Sequence, residues 1–168
     1  ARTTAALRVL GAPLVRGAKP KARRPSQLVP AAEAVGPMDG YMGSFAGDQP
    51  HGFGSCRYAD GSEYEGEWVE GVRHGQGVLR DDGGTYEGAF ADGLPHGTGT
   101  WTYQDGSKYL GSVMRGVREG QGTLHLADGA VYTGCWRDDK WHGEGAYSSG
   151  DELQRYEGEW RDGLRDGD

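Results

Sequence analysis

The chain has 168 residues, of which 32 are glycine and 35% are hydrophobic, and its net charge is −7. So many glycines and so few hydrophobic residues are unfavourable for a compact globular core. No apolar run approaches the ~20 residues that a membrane-spanning helix needs. The composition instead favours stacked repeats, in which each repeat buries the apolar face of its neighbour.

The charge of the chain changes sign near residue 40. Residues 1–40 hold seven basic and two acidic residues, a net charge of +5, whereas the remaining residues carry −12. The first segment is rich in Ala, Arg and Pro and predicts an extended arm, with a disordered tail as the other interpretation. Its acid-poor composition is also typical of transit peptides, which indicates a plastid or a mitochondrion. We expect the arm to contact an acidic partner through its basic cluster: Arg16, Lys19, Lys21, Arg23 and Arg24.

From residue 41 onwards a tyrosine recurs every 22 to 24 residues and defines six repeats. A glycine follows each tyrosine after two residues, and in five repeats an aromatic residue follows after four. Side chains alternate along a strand, so these three positions share one face of a half-buried strand. Three repeats show the pattern well: Tyr64, Gly66 and Trp68; Tyr86, Gly88 and Phe90; Tyr132, Gly134 and Trp136.

Each of these strands is followed by a turn and then by His-Gly-x-Gly, as in His74 with Gly75 and Gly77. Two glycines so close together weaken a strand unless something fills the space above them, and we predict that a ring from the preceding strand does so. An Asp-Gly pair such as Asp60-Gly61 then favours a tight hairpin turn with positive φ angles. Each repeat is therefore predicted to be a β-hairpin with one aromatic face and one polar face.

The pattern Tyr-x-Gly-x-Trp-x-x-Gly-x-x-His-Gly-x-Gly, matched over residues 41–168, resembles the MORN repeat (membrane occupation and recognition nexus). The resemblance implies an all-β fold, an elongated single-layer antiparallel β-meander of repeated hairpins, and no catalytic residues. It also offers a ciliary or cytoskeletal setting as the alternative location. The sequence departs from the pattern at Val113, Glu119, Asp166, Asp48 and Asp139.

No residue set points to a reaction or a cofactor. The recurring histidines stand ~10 Å apart in adjacent repeats, too far for one metal ion, so we expect them to hydrogen-bond to neighbouring groups instead. No glycine-rich stretch has the spacing of a phosphate-binding loop. The paired carboxylates are predicted to lie in water, opposite the rings: Glu65, Glu67, Glu157, Glu159, Asp138 and Asp139. Cys56 and Cys135 fall in distant repeats and are predicted to be free thiols.

Most rings of the aromatic face are predicted to form the core by packing across strands. Four aromatic residues lie off the main motif and are predicted to contact a partner: Trp101, Tyr103, Trp141 and Tyr147.

These features predict a non-catalytic scaffold or accessory subunit in a multisubunit assembly, with the sixth repeat ending after one strand and leaving an edge for another chain. The alternatives are a membrane-surface adaptor that binds acidic phospholipid through the arm, and an array appended to a catalytic domain. Neither nucleic acid nor a small-molecule substrate is expected as a ligand.

Overall fold

The computed structural model describes residues 40–166, which form one antiparallel sheet of twelve strands. Every strand pairs with its neighbours in sequence, so the predicted single-layer meander of hairpins is confirmed. The predicted arm and its basic cluster lie outside the described residues. The strands are β1 (Tyr41–Ala46), β2 (Gln49–Arg57), β3 (Glu63–Val69), β4 (Val72–Asp81), β5 (Gly84–Ala91), β6 (Leu94–Tyr103), β7 (Lys108–Met114), β8 (Val117–His125), β9 (Val131–Arg137), β10 (Lys140–Ser148), β11 (Arg155–Arg161) and β12 (Leu164–Arg165).

The strand register aligns the repeats into rows that cross the sheet. A row of glycines runs from β1 to β11, because each motif glycine faces the glycine of the next strand, as Gly66 faces Gly77 and Gly77 faces Gly88. Beside it runs a row in which each motif tyrosine alternates with a residue of the returning strand, as Tyr64 faces Leu79. The repeat of 22 to 24 residues thus keeps equivalent side chains in register.

Each motif tyrosine lies over the glycine row. A Cβ atom added at Gly66 would stand 2.5 Å from the hydroxyl of Tyr64 and 2.5 Å from the Cα of Gly77, and one added at Gly77 would meet the Tyr64 ring. Glycine is therefore required because the ring occupies the place of its side chain. The predicted filling by a ring of the preceding strand is confirmed for the second glycine of His-Gly-x-Gly, Gly77. It is wrong for the first, Gly75, where a Cβ would meet the carboxylate of Glu67 instead.

The turns differ from the prediction, which placed the tight positive-φ turn at Asp-Gly. Two-residue turns with positive φ at both residues lie at the other end of the hairpins from the second repeat onwards, as at Glu70 (50°) and Gly71 (77°), whereas in the first repeat only Gly47 (64°) has positive φ. The Asp60-Gly61 turn is longer: Gly61 N–H donates to the carbonyl of Tyr58 (2.9 Å), and only Gly61 has positive φ (86°). A type I turn followed by glycine needs the left-handed conformation at that glycine alone.

The ends of the sheet and the cysteines complete the comparison. Within residues 40–166, β1 and β12 are the edge strands, and the sixth repeat has a short returning strand, β12, where the sequence predicted none.

Both cysteines are free thiols, as predicted. Cys56 is buried on the aromatic face, where burial raises the pKa of its thiol, whereas Cys135 lies on the polar face beside Gln121. No helix in the described range could cross a bilayer.

The two-residue turn at Arg115 and Gly116 provides a test of this turn assignment. Arg115 has a φ of 49°, which costs energy for most L-residues but little for Asn. We expect Arg115→Asn, which creates an Asn-Gly pair, to raise the free energy of unfolding by about 0.5–1 kcal/mol in urea denaturation. Arg137→Asn, at an exposed strand position, is the control and is expected to give no increase. Equal effects of the two substitutions would contradict the assignment.

Candidate interaction surface

The rings of the aromatic face pack edge to face along the sheet. Trp68 lies between the tyrosines of the first two repeats, with ring centroids 5.3 Å from Tyr41 and 5.2 Å from Tyr64. Phe90 repeats the arrangement between Tyr64 (5.0 Å) and Tyr86 (5.3 Å). Edge-to-face pairs of this kind add about 0.5–1.5 kcal/mol beyond the burial of area. The prediction that these rings form the core is confirmed, because they are almost fully buried.

The polar atoms of these rings bond to the backbone. The Tyr64 hydroxyl donates to the carbonyl of Glu67 (3.0 Å), and the Nε1 of Trp68 donates to the carbonyl of Gly54 (3.0 Å). The same tyrosine bond recurs three residues along the chain from every motif tyrosine. Burial raises the pKa of Tyr86 to about 12, so its hydroxyl stays a proton donor at neutral pH.

Trp101 compensates for the missing ring at Val113. In the neighbouring repeats a leucine occupies the Trp101 position and an aromatic ring occupies the Val113 position. Trp101 lies between Tyr86 (4.7 Å) and Tyr109 (6.3 Å) and is only 6% exposed. The structure places this predicted partner contact in the core, because its indole fills the volume that valine leaves.

Trp141 is buried for a different reason. Its ring stacks on Tyr132 at 4.4 Å with an interplanar angle of 6°, it meets Trp160 edge to face, and it is 5% exposed. Little of its surface is left for a partner. Tyr103 and Tyr147 are only partly buried and pack against the edge of the core. Their predicted contact with a partner stays a prediction.

The polar face carries the predicted carboxylates. Glu65, Glu67, Glu157 and Glu159 are exposed, as predicted. The expectation is wrong for Asp139, which is half-buried and accepts hydrogen bonds at Oδ1 from the backbone N–H (2.9 Å) and the Nε (3.0 Å) of Arg118. Asp139 occupies a turn, where strand alternation no longer decides which face a side chain reaches.

Sequence reasoning missed two groups of residues. The residue before each His-Gly-x-Gly segment is buried and lies on the aromatic face, and in two repeats it is an arginine, Arg73 or Arg118, each 7% exposed. Its identity changes from repeat to repeat, as Pro50, Arg73, Pro95, Arg118 and Trp141, so no recurring residue type marked the position. The second group is an apolar patch on the polar face of the first hairpin, formed by Met42 (73% exposed) and Phe53 (61% exposed), which we call the first-hairpin patch.

The histidines form no metal site in the part of the chain that the structure describes, where no cluster of three potential ligands occurs. The predicted histidine hydrogen bond fails at His142, whose Nδ1 is buried without a partner among these residues. A depression lined by Leu79, Tyr86, Trp101 and Tyr103 encloses only about 10 Å³. An open groove of about 370 Å³ on the polar face is lined mainly by threonines and glycines.

The described residues form a single-layer repeat sheet, and the comparison with known families identifies its repeat. The family model of the MORN repeat matches six segments: residues 41–63, 64–85, 86–108, 109–131, 132–153 and 156–167. These segments span most of the chain, which therefore belongs to the MORN repeat family. No curated protein matches the chain. MORN repeats are generally protein or membrane-lipid interaction modules and are not generally catalytic.

The role of Trp101 in the core gives a direct test. We expect Trp101→Leu to lower the free energy of unfolding by about 2–3 kcal/mol, because leucine leaves a cavity beside Val113. Adding Val113→Phe recreates the Leu79 and Phe90 pairing of the preceding repeat and should recover at least half of the loss. Urea denaturation of both single variants and the double variant measures the coupling. A Trp101→Leu variant as stable as the wild type would contradict the core assignment.

Proposed function

We propose that this protein is a non-catalytic scaffold or accessory subunit that binds other proteins within a larger assembly. The observation that carries the proposal is the first-hairpin patch. Met42 and Phe53 are largely exposed on a face that carries exposed carboxylates elsewhere, such as Glu65, and further exposed apolar residues in other repeats, such as Leu110 three repeats away. Apolar side chains grouped on a polar surface are typical of protein interfaces.

The rest of the sheet supports binding over a surface. Its aromatic face is filled by its own rings, and the depression among them is far smaller than the ~300–1,000 Å³ of a typical small-molecule site. The groove of about 370 Å³ on the polar face is open to solvent. On the aromatic face, a partner would lie across the rings or along the edge of the sheet.

The edge strand β1 offers a second element of the same interface. In the described residues β1 pairs only with β2. Phe45 of this strand is 56% exposed on the aromatic face, beside the Tyr41 ring, whereas Met42 of the same strand is exposed on the polar face. An edge strand with exposed apolar side chains can add a strand from a partner through backbone hydrogen bonds, with side-chain contacts providing specificity.

Affinity purification from the source cell, followed by mass spectrometry, tests the proposal. The full chain should recover a defined set of proteins, and Met42→Ser with Phe53→Ser should reduce their recovery at least tenfold, because the patch loses its apolar contacts. Leu153→Ser is the matched control, since Leu153 is also an exposed apolar residue but lies in a turn of the fifth repeat. The control should leave recovery unchanged.

The proposal is contradicted if the chain sediments as a monomer and recovers no protein above background. Flotation with vesicles that contain 30% phosphatidylserine addresses the alternative adaptor role. The net charge of −12 on residues 41–168 repels such vesicles, so binding would have to depend on residues 1–40. Vesicle binding that needs residues 1–40, in the absence of a protein partner, would favour that role.

A further inference from the structure

Two repeats place a buried guanidinium among the rings. The Cζ of Arg118 lies 4.2 Å from the centroid of the Trp136 ring. The Cζ of Arg73, at the equivalent position two repeats earlier, lies 5.6 Å from the Tyr58 ring, 5.7 Å from Tyr64 and 5.9 Å from Phe90. A buried cation is costly unless acceptors replace the water it has lost. The acceptors of the two arginines differ.

Arg118 receives its acceptors from the turn of the next hairpin. Asp139 accepts from the Arg118 Nε at Oδ1 (3.0 Å) and from Nη2 at its backbone carbonyl (2.9 Å). The Asp139 N–H also donates to the carbonyl of Arg118 (3.2 Å), which fixes the turn against the strand. The carboxylate and the guanidinium form a half-buried ion pair.

Arg73 meets a turn of the same geometry that lacks the carboxylate. Gly93 takes the place of Asp139, and its N–H donates to the carbonyl of Arg73 (3.0 Å). The φ angles of Asp92 (51°) and Gly93 (78°) match those of Asp138 (48°) and Asp139 (64°). Among residues 40–166, no acceptor lies within hydrogen-bonding distance of the buried Nε of Arg73.

The surroundings of Arg73 contain a second unpaired donor. The hydroxyl of Tyr58, whose ring packs near the guanidinium, is buried and has no partner among the described residues. The carboxylates of this region serve their own turns: Asp60 accepts from Ser62, and Asp81 accepts from the N–H groups of Gly83 and Gly84. Two donors are thus left without an acceptor in one cluster.

We propose that Arg73 is a binding site for a carboxylate side chain of a partner protein, which enters over the turn at Asp92 and Gly93 and occupies the place that Asp139 takes beside Arg118. This inference rests on the proposed function and names one contact with a protein partner on the aromatic face, which is opposite the first-hairpin patch. A buried guanidinium that has lost water gains most from a charge-assisted bond to a carboxylate.

A single negative charge fits this site better than a phosphate does. At the equivalent arginine one aspartate accepts from Nε, although Nη1 of Arg118 is also buried without a partner among residues 40–166. The turn is therefore shaped for a group of the size of one carboxylate beside Nε. Asp60 lies close enough to Arg73 to interact with it electrostatically, and Asp81 interacts in the same way with Asp60. These carboxylates would repel a doubly charged phosphate more strongly than a singly charged carboxylate. The occupant is therefore an Asp or Glu of a protein segment that lies across the aromatic face.

Two substitutions exchange the sites. Gly93→Asp reproduces the pair at Asp138 and Asp139 and should give Arg73 an acceptor within the chain. Asp139→Gly should remove the acceptor from Arg118 and make it respond like Arg73. Both turns tolerate either residue in the left-handed conformation, as their φ angles show. Thermal unfolding of both variants, followed by circular dichroism, confirms that the sheet is retained.

The probes are N-acetylaspartate α-amide, its asparagine counterpart and methyl phosphate, titrated into the full chain while the arginine Nε–H groups are followed by ¹H–¹⁵N NMR. The aspartate probe should shift the Arg73 signal downfield in a saturable way and leave Arg118 unchanged. In Gly93→Asp the apparent affinity should fall at least tenfold, and in Asp139→Gly the Arg118 signal should respond. A peptide of Gly-Leu-Asp-Leu-Gly should bind Arg73 more tightly than its Asn counterpart.

Four results would overturn the inference. In the first, the Arg73 signal of the wild-type chain does not respond to the aspartate probe, although the Arg118 signal responds in Asp139→Gly. In the second, neither arginine responds to the probe. The free wild-type chain could already show the downfield Arg73 signal, which would mean that an acceptor within the chain fills the site. Methyl phosphate could bind as well as the aspartate probe, which would exclude selectivity for a carboxylate. None of these results affects the scaffold function, whose test depends on Met42 and Phe53.

Discussion

The contact between tyrosine rings and paired glycines is the constraint on which this structure depends. In each of the first five repeats a ring such as that of Tyr109 lies over the glycine of its own strand, Gly111, and over the glycine of the next, Gly122. The hydroxyl then reaches a backbone carbonyl three residues along. A sheet only one layer thick thereby buries most of its rings, although no second layer covers them within residues 40–166.

This mode of packing also limits what the protein can do. The rings bury most of the aromatic face against one another. The side chains that can still contact a partner therefore lie between the rings, at the turns and on the edge strand. Arg73 and Arg118 show how much these positions can vary while the ring pattern stays constant: one guanidinium is paired with Asp139, and the other faces Gly93. Variation of this kind gives each repeat a different surface on the same scaffold.

The sequence predicted the hairpins, the ring face and the free cysteines because each depends on periodicity and alternation. It did not predict the burial of Trp101, because that follows from the absence of a ring at Val113, which faces the glycine segment of Trp101's own strand. It also misplaced Asp139, since a turn residue with positive φ does not follow strand alternation. The first-hairpin patch was not predicted because Met42 and Phe53 are separate in sequence and share one face of the hairpin only through the pairing of β1 with β2.

A double-mutant cycle on Tyr109 tests the ring-over-glycine contact most directly. A Cβ at Gly122 would meet the Tyr109 ring first, whereas a Cβ at Gly111 would also meet the Gly122 Cα at 2.5 Å. We predict that Gly122→Ala lowers the free energy of unfolding by about 1–3 kcal/mol in the wild type, and that this loss largely disappears in the Tyr109→Leu background. The loss caused by Gly111→Ala should persist in both backgrounds. An equal cost of Gly122→Ala with and without the tyrosine ring would contradict the account.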